Sequence, residues 1–181
     1  IVWENTIQAS ANEISNGLAI NAAGEIIIGA WSNADIGYDK NEPTQNQSYV
    51  EYVYNNFAQG SGYDFWVLNL SPDGNINWQN TIGGDGTDNL IDCMLTGTSG
   101  YVLLCNSTSD ISGNKSQLSF NNTYYSDILS NYVIHDSYDY WVVHVNSTGE
   151  LIREKTVGGI SYEYPKRLLF NNDNRYLIAG Y

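Results

Sequence analysis

Two stretches of the chain carry one hydrophobic–polar rhythm. From Asp64, Trp66, Leu68 and Leu70 alternate with Val67 and Asn69; from Asp139, Trp141, Val143 and Val145 alternate with Val142 and His144. Alternation with period two is strand periodicity. Each run is followed by turn chemistry, "SPDGN" and "NSTGE", and then by a second strand that closes on a Gly-Gly pair. Two apolar runs come next, "DNLIDCML" and "YVLLCNS", joined by "TGTSG"; earlier in the chain, "GLAIN" and "EIIIGAW" hold the same places.

The two stretches begin 75 residues apart, and the register holds beyond them. Thr81-Ile82-Gly83-Gly84 matches Thr156-Val157-Gly158-Gly159, and Trp3-Glu4-Asn5-Thr6-Ile7 matches Trp78-Gln79-Asn80-Thr81-Ile82. Asp35-Ile36 matches Asp110-Ile111, and Ala179-Gly180-Tyr181 falls beside Gly29-Ala30-Trp31. The pattern predicts an all-β chain, a partial β-propeller of four-stranded antiparallel blades. One blade cannot bury both of its faces, so neighbours must stack on it, which is why such units repeat. The phase divides the chain into residues 1–7 (outer strand of a preceding blade), 8–82 and 83–157 (two blades) and 158–181 (first half of a following blade). Two and a half units, roughly, do not close a ring, so the expectation is a segment of a larger propeller whose other blades come from the same polypeptide.

Each unit also holds a long connection, residues 33–62 and 108–137. In the first, Val50, Val53, Tyr54 and Phe57 stand at i, i+3, i+4 and i+7, with Ser48 and Glu51 spaced as a capping box and Gly60 as a stop. In the second, Tyr125, Ile128, Leu129 and Tyr132 take the equivalent places, with Thr123 as the cap. The spacing predicts a short helix over 49–58 and 124–133, inserted between the second and third strands of each blade. The competing reading is a Tyr-rich loop.

With these motifs in hand, the sequence resembles a family of tandem β-propeller repeats in large exported surface proteins of the Bacteroidetes. The resemblance rests on "DYWVVHVNSTGE", "NWQNTIGG", "YLIAGY" and "DISGNK", and it runs over essentially all 181 residues. It implies an extracellular or cell-surface location, with the type IX secretion system as the route, although no C-terminal sorting domain accompanies the repeats here.

Composition narrows the partners. Net charge is −13, and Lys plus Arg number seven. Five of those seven lie after residue 150, so most of the chain is anionic. Phosphate affinity needs cations, which argues against nucleic acid and anionic membranes as partners. No run of eighteen apolar residues is present, so no helical membrane span is expected. Tyr, at 15 residues, clusters in the two connections. Tyr and Trp beside Asn and Asp supply flat apolar faces with directional hydrogen bonds, as a glycan- or protein-binding surface does. The same rings could equally pin the insertions to the blades.

Candidate chemistry is sparse. Asp35 and Asp39, and Asp110 and Asn114, share the spacing Asp-Ile-x-x-Asp/Asn-Lys. Oxygens four apart in a loop could hold Ca²⁺, the only cofactor the sequence raises; the alternative is side chains bonding their own turn, and the adjacent Lys40 and Lys115 oppose a metal. "SPDGNINW" is close to the Asp-box turn of sialidase-type propellers and reads as turn chemistry, with Asp73 capping backbone N–H groups. His135 and His144 have no triad partners in their surroundings, His144 reads as a solvated strand residue, and no nucleophile or phosphate-loop motif occurs. Cys93 and Cys105 sit at hairpin positions held elsewhere by Leu18 or Leu168 and Ala30 or Gly180, as a disulfide or as buried thiols. No catalytic set emerges. The reading is a non-catalytic binding or display scaffold of a secreted or surface protein, serving adhesion or protein and glycan interaction. The alternative is the propeller of a secreted glycoside hydrolase or lyase whose catalytic residues lie on other blades.

Overall fold

The structure is a computed structural model. It describes the chain apart from residues 1, 46–48, 54–55, 61, 97–99, 121, 127–130, 136 and 171–174, and describes 49–53, 56–60, 122–126, 131–135 and 170 by backbone alone. Among the described residues every regular element is a strand.

The first four-stranded antiparallel sheet contains β1 (Glu13–Ile20), β2 (Ile26–Ser32), β5 (Asp64–Leu70) and β6 (Ile76–Ile82), in that order. The second contains β7 (Asp88–Leu95), β8 (Gly100–Ser107), β11 (Asp139–Asn146) and β12 (Leu151–Val157), again as a meander. A third sheet holds the hairpin β13 (Pro165–Phe170) with β14 (Tyr176–Gly180). Equivalent pairings recur: Trp66 lies opposite Ala30 and Thr81, and Trp141 opposite Cys105 and Thr156.

The turns explain why the strands reverse where they do. Gly74 and Gly149 have φ of 82° and 86°, a left-handed conformation that a Cβ disfavours. The residue that opens each turn supplies the side-chain acceptor. Asn146 Oδ1 accepts from the N–H groups of Thr148 and Glu150, both at 2.9 Å. In the β5–β6 turn that cap is Ser71, whose Oγ accepts from Asn75 N–H at 3.2 Å, and not Asp73.

Two expectations are corrected. The connections carry β-hairpins, not helices. β3 (Tyr49–Val53) pairs with β4 (Asn56–Gly60), and β9 (Asn122–Ser126) with β10 (Asn131–His135). Val, Tyr, Phe, Thr and Ile prefer a pleated surface, and the segments hold few strong helix formers, so intrinsic preference overrides the helical spacing. The proposed cap Thr123 is a β9 residue paired with Ile134; Ser48 lies outside the described residues. The second correction concerns the amino-terminal stretch. Residues 2–7, expected as a strand, have no ladder partner.

Three apolar layers hold the sheets together. The largest lies between the two four-stranded sheets and includes Ile27, Phe65 and Val67 of the first and Leu103, Trp141 and Val143 of the second. A second layer, around Val102, Leu104 and Val142, is closed by Leu168 of β13. The third, around Trp66, Leu68 and Leu70, lies on the outer face of the first sheet, with Ala9, Ala34 and Ile7 against it.

Candidate functional site

Four features of the molecule bear on function: a latch, a set of buried charges, an open apolar face and a platform of tyrosines.

The latch joins one sheet to the turn of the next. Trp78 of β6 donates its indole N–H to Ser147 O at 2.8 Å, and Asn80 donates to Gly149 O at 2.7 Å. The indole lies so close over Gly149 that a Cβ there would overlap it. Residues 2–7 make the same contacts one unit earlier. Trp3 donates to Pro72 O at 2.7 Å, Asn5 donates to Gly74 O at 2.9 Å, and the Trp3 ring covers Gly74. The amino-terminal stretch thus occupies, on the first sheet, the place β6 takes on the second.

The buried charges sit where the sheets cross over. Asp88 is fully buried; its Oδ2 accepts from Gly84 N–H at 2.8 Å and from Ser109 Oγ–H at 2.7 Å, while Oδ1 has no partner. Burial pushes its carboxyl up to about 6, against the pull of the hydrogen bonds from Ser107, Ser109 and Gly84. Asp139, at the start of β11, accepts from Phe120 N–H at 2.6 Å. Burial first, and then a hydrogen bond and charge shared with Glu163, also raise it to about 6. The two neighbouring carboxyls form a clasp between β11 and the approach to β13.

The loops that carry the calcium candidates are organised around a lysine. Lys115, 2% exposed, donates to Ser109 O at 2.7 Å, Gln117 O at 2.8 Å and Ser119 Oγ at 3.0 Å. Lys40 is equally buried and donates to Glu42 O. Burial lowers both ammonium groups from their ordinary value, and the surrounding carboxylates oppose that shift. Each of the four candidate ligands gives one side-chain oxygen to a backbone N–H group. Asp35 takes Ile36 N–H at 3.0 Å and Asp39 takes Gln8 N–H at 2.9 Å. Asp110 takes Ser119 N–H at 3.1 Å and Asn114 takes Gly83 N–H at 3.1 Å. These oxygens tie each loop to its own turn and to neighbouring backbone around a buried ammonium. Among the described residues no group of three or more His, Cys, Asp or Glu side chains could hold a metal ion.

His144 is half-buried and not fully solvated as its sequence position suggests: its ring meets Tyr176 edge-on at 5.2 Å, and its Nδ1 lies 3.4 Å from Arg153 Nη2. Burial and the guanidinium hold it down to about 4, so it is neutral at physiological pH. The side chain of His135 lies outside the described residues. Cys93 and Cys105 are free and buried, and burial pushes the Cys93 thiol up to about 12. A thiol that does not ionise is inert as a nucleophile.

The open face belongs to the first sheet. Leu18 and Ile20 are 65% and 58% exposed, and beside them a cleft of about 470 Å³ runs between β1, β2 and β5, with Trp3 at its edge and Trp66 in its wall. In the second sheet the residues equivalent to Leu18 and Trp66 are Cys93 and Trp141, and both are sealed in the layer between sheets.

The tyrosine platform lies beside the clasp. Tyr162 and Tyr164 are parallel, 5° apart in plane and 6.1 Å between centroids. Tyr138 lies 5.8 Å from Tyr164 and Tyr181 lies 5.6 Å from it, with Lys166 Nζ 5.1 Å from the Tyr181 ring centre. Sequence reasoning placed the aromatic surface in the insertions and missed this group. The signal was available: the equivalents of Tyr162, Tyr164 and Tyr181 one unit earlier are Thr87, Asn89 and Asn106. It likewise read the repeated lysines only as obstacles to a metal.

No family model matches the chain, and no curated protein matches it. No helix among the described residues is long and apolar enough to cross a membrane.

Proposed function

We propose that this chain is a segment of a β-propeller, built on a repeat of about 75 residues, that serves as a non-catalytic binding or display scaffold of an exported, cell-surface protein. The observation that carries the reading is the latch. Trp3 on Pro72 and Trp78 on Ser147 each span 69 residues, and each clamps an outer segment onto the turn of the following sheet. A scaffold of stacked blades needs one repeated bond of this kind. The open face of the first sheet supports the same reading, since a blade like the first sheet covers the equivalent face of the second. The location and the type IX route rest on the resemblance to exported repeats. The buried charges support a structural use of the acidic residues: Asp88 and Asp139 accept from the backbone N–H groups of Gly84 and Phe120.

Two measurements test this. Sedimentation velocity on the isolated 181-residue chain should give concentration-dependent association, because the open sheet faces find one another. A monodisperse monomer with a cooperative melt overturns the propeller-segment reading. Incubation with plant and bacterial polysaccharides should release no new reducing ends; their release selects the carbohydrate-active enzyme instead.

A further inference from the structure

We infer that the turn from Gly37 to Lys40, with Tyr38 at its apex and Ile36 beside it, is a docking point for a protein partner whose contact surface is basic around an apolar centre. The inference deepens the binding-scaffold reading above and rests on it.

The fold does not ask for a tyrosine at this place. Gly37 and Lys40 exchange backbone hydrogen bonds at 3.0 and 3.1 Å, and one unit later Ser112 and Lys115 do the same at 3.1 and 2.9 Å. The apex is left-handed in both turns, with φ of 54° at Tyr38 and 53° at Gly113. Glycine takes that conformation freely, and a Cβ makes it costly. Among the described residues Tyr38 is the one non-glycine residue with positive φ. Burial gives it nothing in return, since the residue is 76% exposed, and Ile36 beside it is 62% exposed. A preceding sheet does not cover this place: in the second unit, where the first sheet is present, Ile111 is still 60% exposed and Gly113 is exposed too. A strained side chain that the fold neither needs nor buries points to a contact outside the chain.

The turn is held in place from below. Asp39 N–H donates to Gln8 O at 3.0 Å, Asp39 Oδ2 accepts from Gln8 N–H at 2.9 Å, and Gln79 Nε2–H donates to Asp39 O at 2.7 Å. A tyrosine on a fixed turn loses little freedom when it enters a pocket, and Tyr is among the residues that anchor protein interfaces. The rim sets the sign of the partner. Asp35 and Asp39 flank the tip, and both are exposed. Lys40 and Lys115 are the only Lys or Arg in residues 1–150, and both are buried, so no Lys or Arg of that stretch reaches solvent. An apolar tip with a carboxylate rim is complementary to an apolar pocket with a cationic rim.

Selection of a random dodecapeptide phage library on the full chain, with counter-selection on Tyr38→Gly, tests the site. The variant copies the apex of the second unit, and it shares the open sheet faces with the parent, so peptides that adhere to those faces are removed. The enriched peptides should carry Lys or Arg around an aromatic or aliphatic residue. The leading synthetic peptide, followed by fluorescence anisotropy, should bind the parent about tenfold tighter than Tyr38→Gly. Tyr38→Phe should keep affinity within about twofold because the ring remains, and raising salt from about 0.05 to about 0.5 M should weaken binding. Tyr38→Gly should melt close to the parent or above it, since the strain leaves with the side chain. A clearly lower melt assigns Tyr38 to the fold and overturns the inference. Acidic enriched peptides, binding that salt does not weaken, or failure to enrich any peptide that tells the two chains apart overturns it as well. The association read by sedimentation is independent of these outcomes, so the scaffold reading stands or falls separately.

Discussion

Trp66 and Trp141 hold equivalent places in two equivalent sheets, and their surroundings differ in kind. Trp141 is sealed between sheets, against Phe65 at a ring distance of 5.1 Å, and its indole N–H donates to Glu154. Trp66 is nearly as buried, yet its cover is Ala9, Ala34 and Ile7 from the amino-terminal stretch and the following loop, with a cleft beside it. A whole sheet does in one place what a tail and a loop do in the other. The comparison teaches that the side chain is chosen for a junction, while the quality of the junction depends on what arrives to close it.

The largest test of that contrast is truncation of the two indoles. Trp141→Ala should cost about 3–5 kcal/mol, because the sheets on either side cannot collapse into the space. Trp66→Ala should fall at the lower end of that range or below it, since its cover is a tail that can follow the retreating surface. Urea denaturation reads both, and equal losses would break the comparison.

Acidity distinguishes the sealed crossing from the open face by another route. Asp88 stands at about 6 when folded against 3.8 unfolded. The folded state therefore binds its proton more tightly, and this group's contribution is present below pH 3.8 and lost as pH rises through about 6. The loss is on the order of 3 kcal/mol. Stability measured by urea between pH 4 and 7 should fall with that window, and Asp88→Asn should flatten the slope. A slope unchanged in the variant would show that the carboxyl is already ionised in the fold.

Lys115→Met should cost about 2–3 kcal/mol, because Ser109 O, Gln117 O and Ser119 Oγ lose a charged donor inside the protein. A thermal melt checks it, and added Ca²⁺ should restore nothing. The smallest effect belongs to the open face. Leu18→Ser should change monomer stability by no more than about 0.5 kcal/mol, while Cys93→Asp, its counterpart in the sealed layer, should prevent folding. A large loss for Leu18→Ser would show that something covers that face.

The β-sheets were legible because period-two alternation and turn residues are local signals, and the repeat spacing placed Trp66 and Trp141 at equivalent strand positions, though not in the different layers that cover them. The insertions failed for a physical reason. Val50, Val53 and Phe57 satisfy a helical spacing, but two paired five-residue strands place apolar residues at the same intervals, and spacing cannot tell one from the other over so short a length. Residues 2–7 were legible in identity and not in pairing: their match to 77–82 located them on the first sheet's turn, whereas a ladder needs a neighbouring strand. The carboxyl clasp was illegible, since Asp139 and Glu163 lie 24 residues apart and come together only through the path of the chain between β12 and β13.

The latch has a consequence for how the chain comes into being. Trp78 finds its seat on a turn 69 residues further along the chain. At about 5–20 residues per second of synthesis, that seat emerges several seconds after the strand that needs it. During that interval β6 has an exposed indole and no partner beyond its own sheet. Each completed unit thus waits on its successor, so folding should advance as a zipper with a standing lag of one unit, and a stall in the ribosome just before Asn146 should leave the preceding unit the most exposed to proteases.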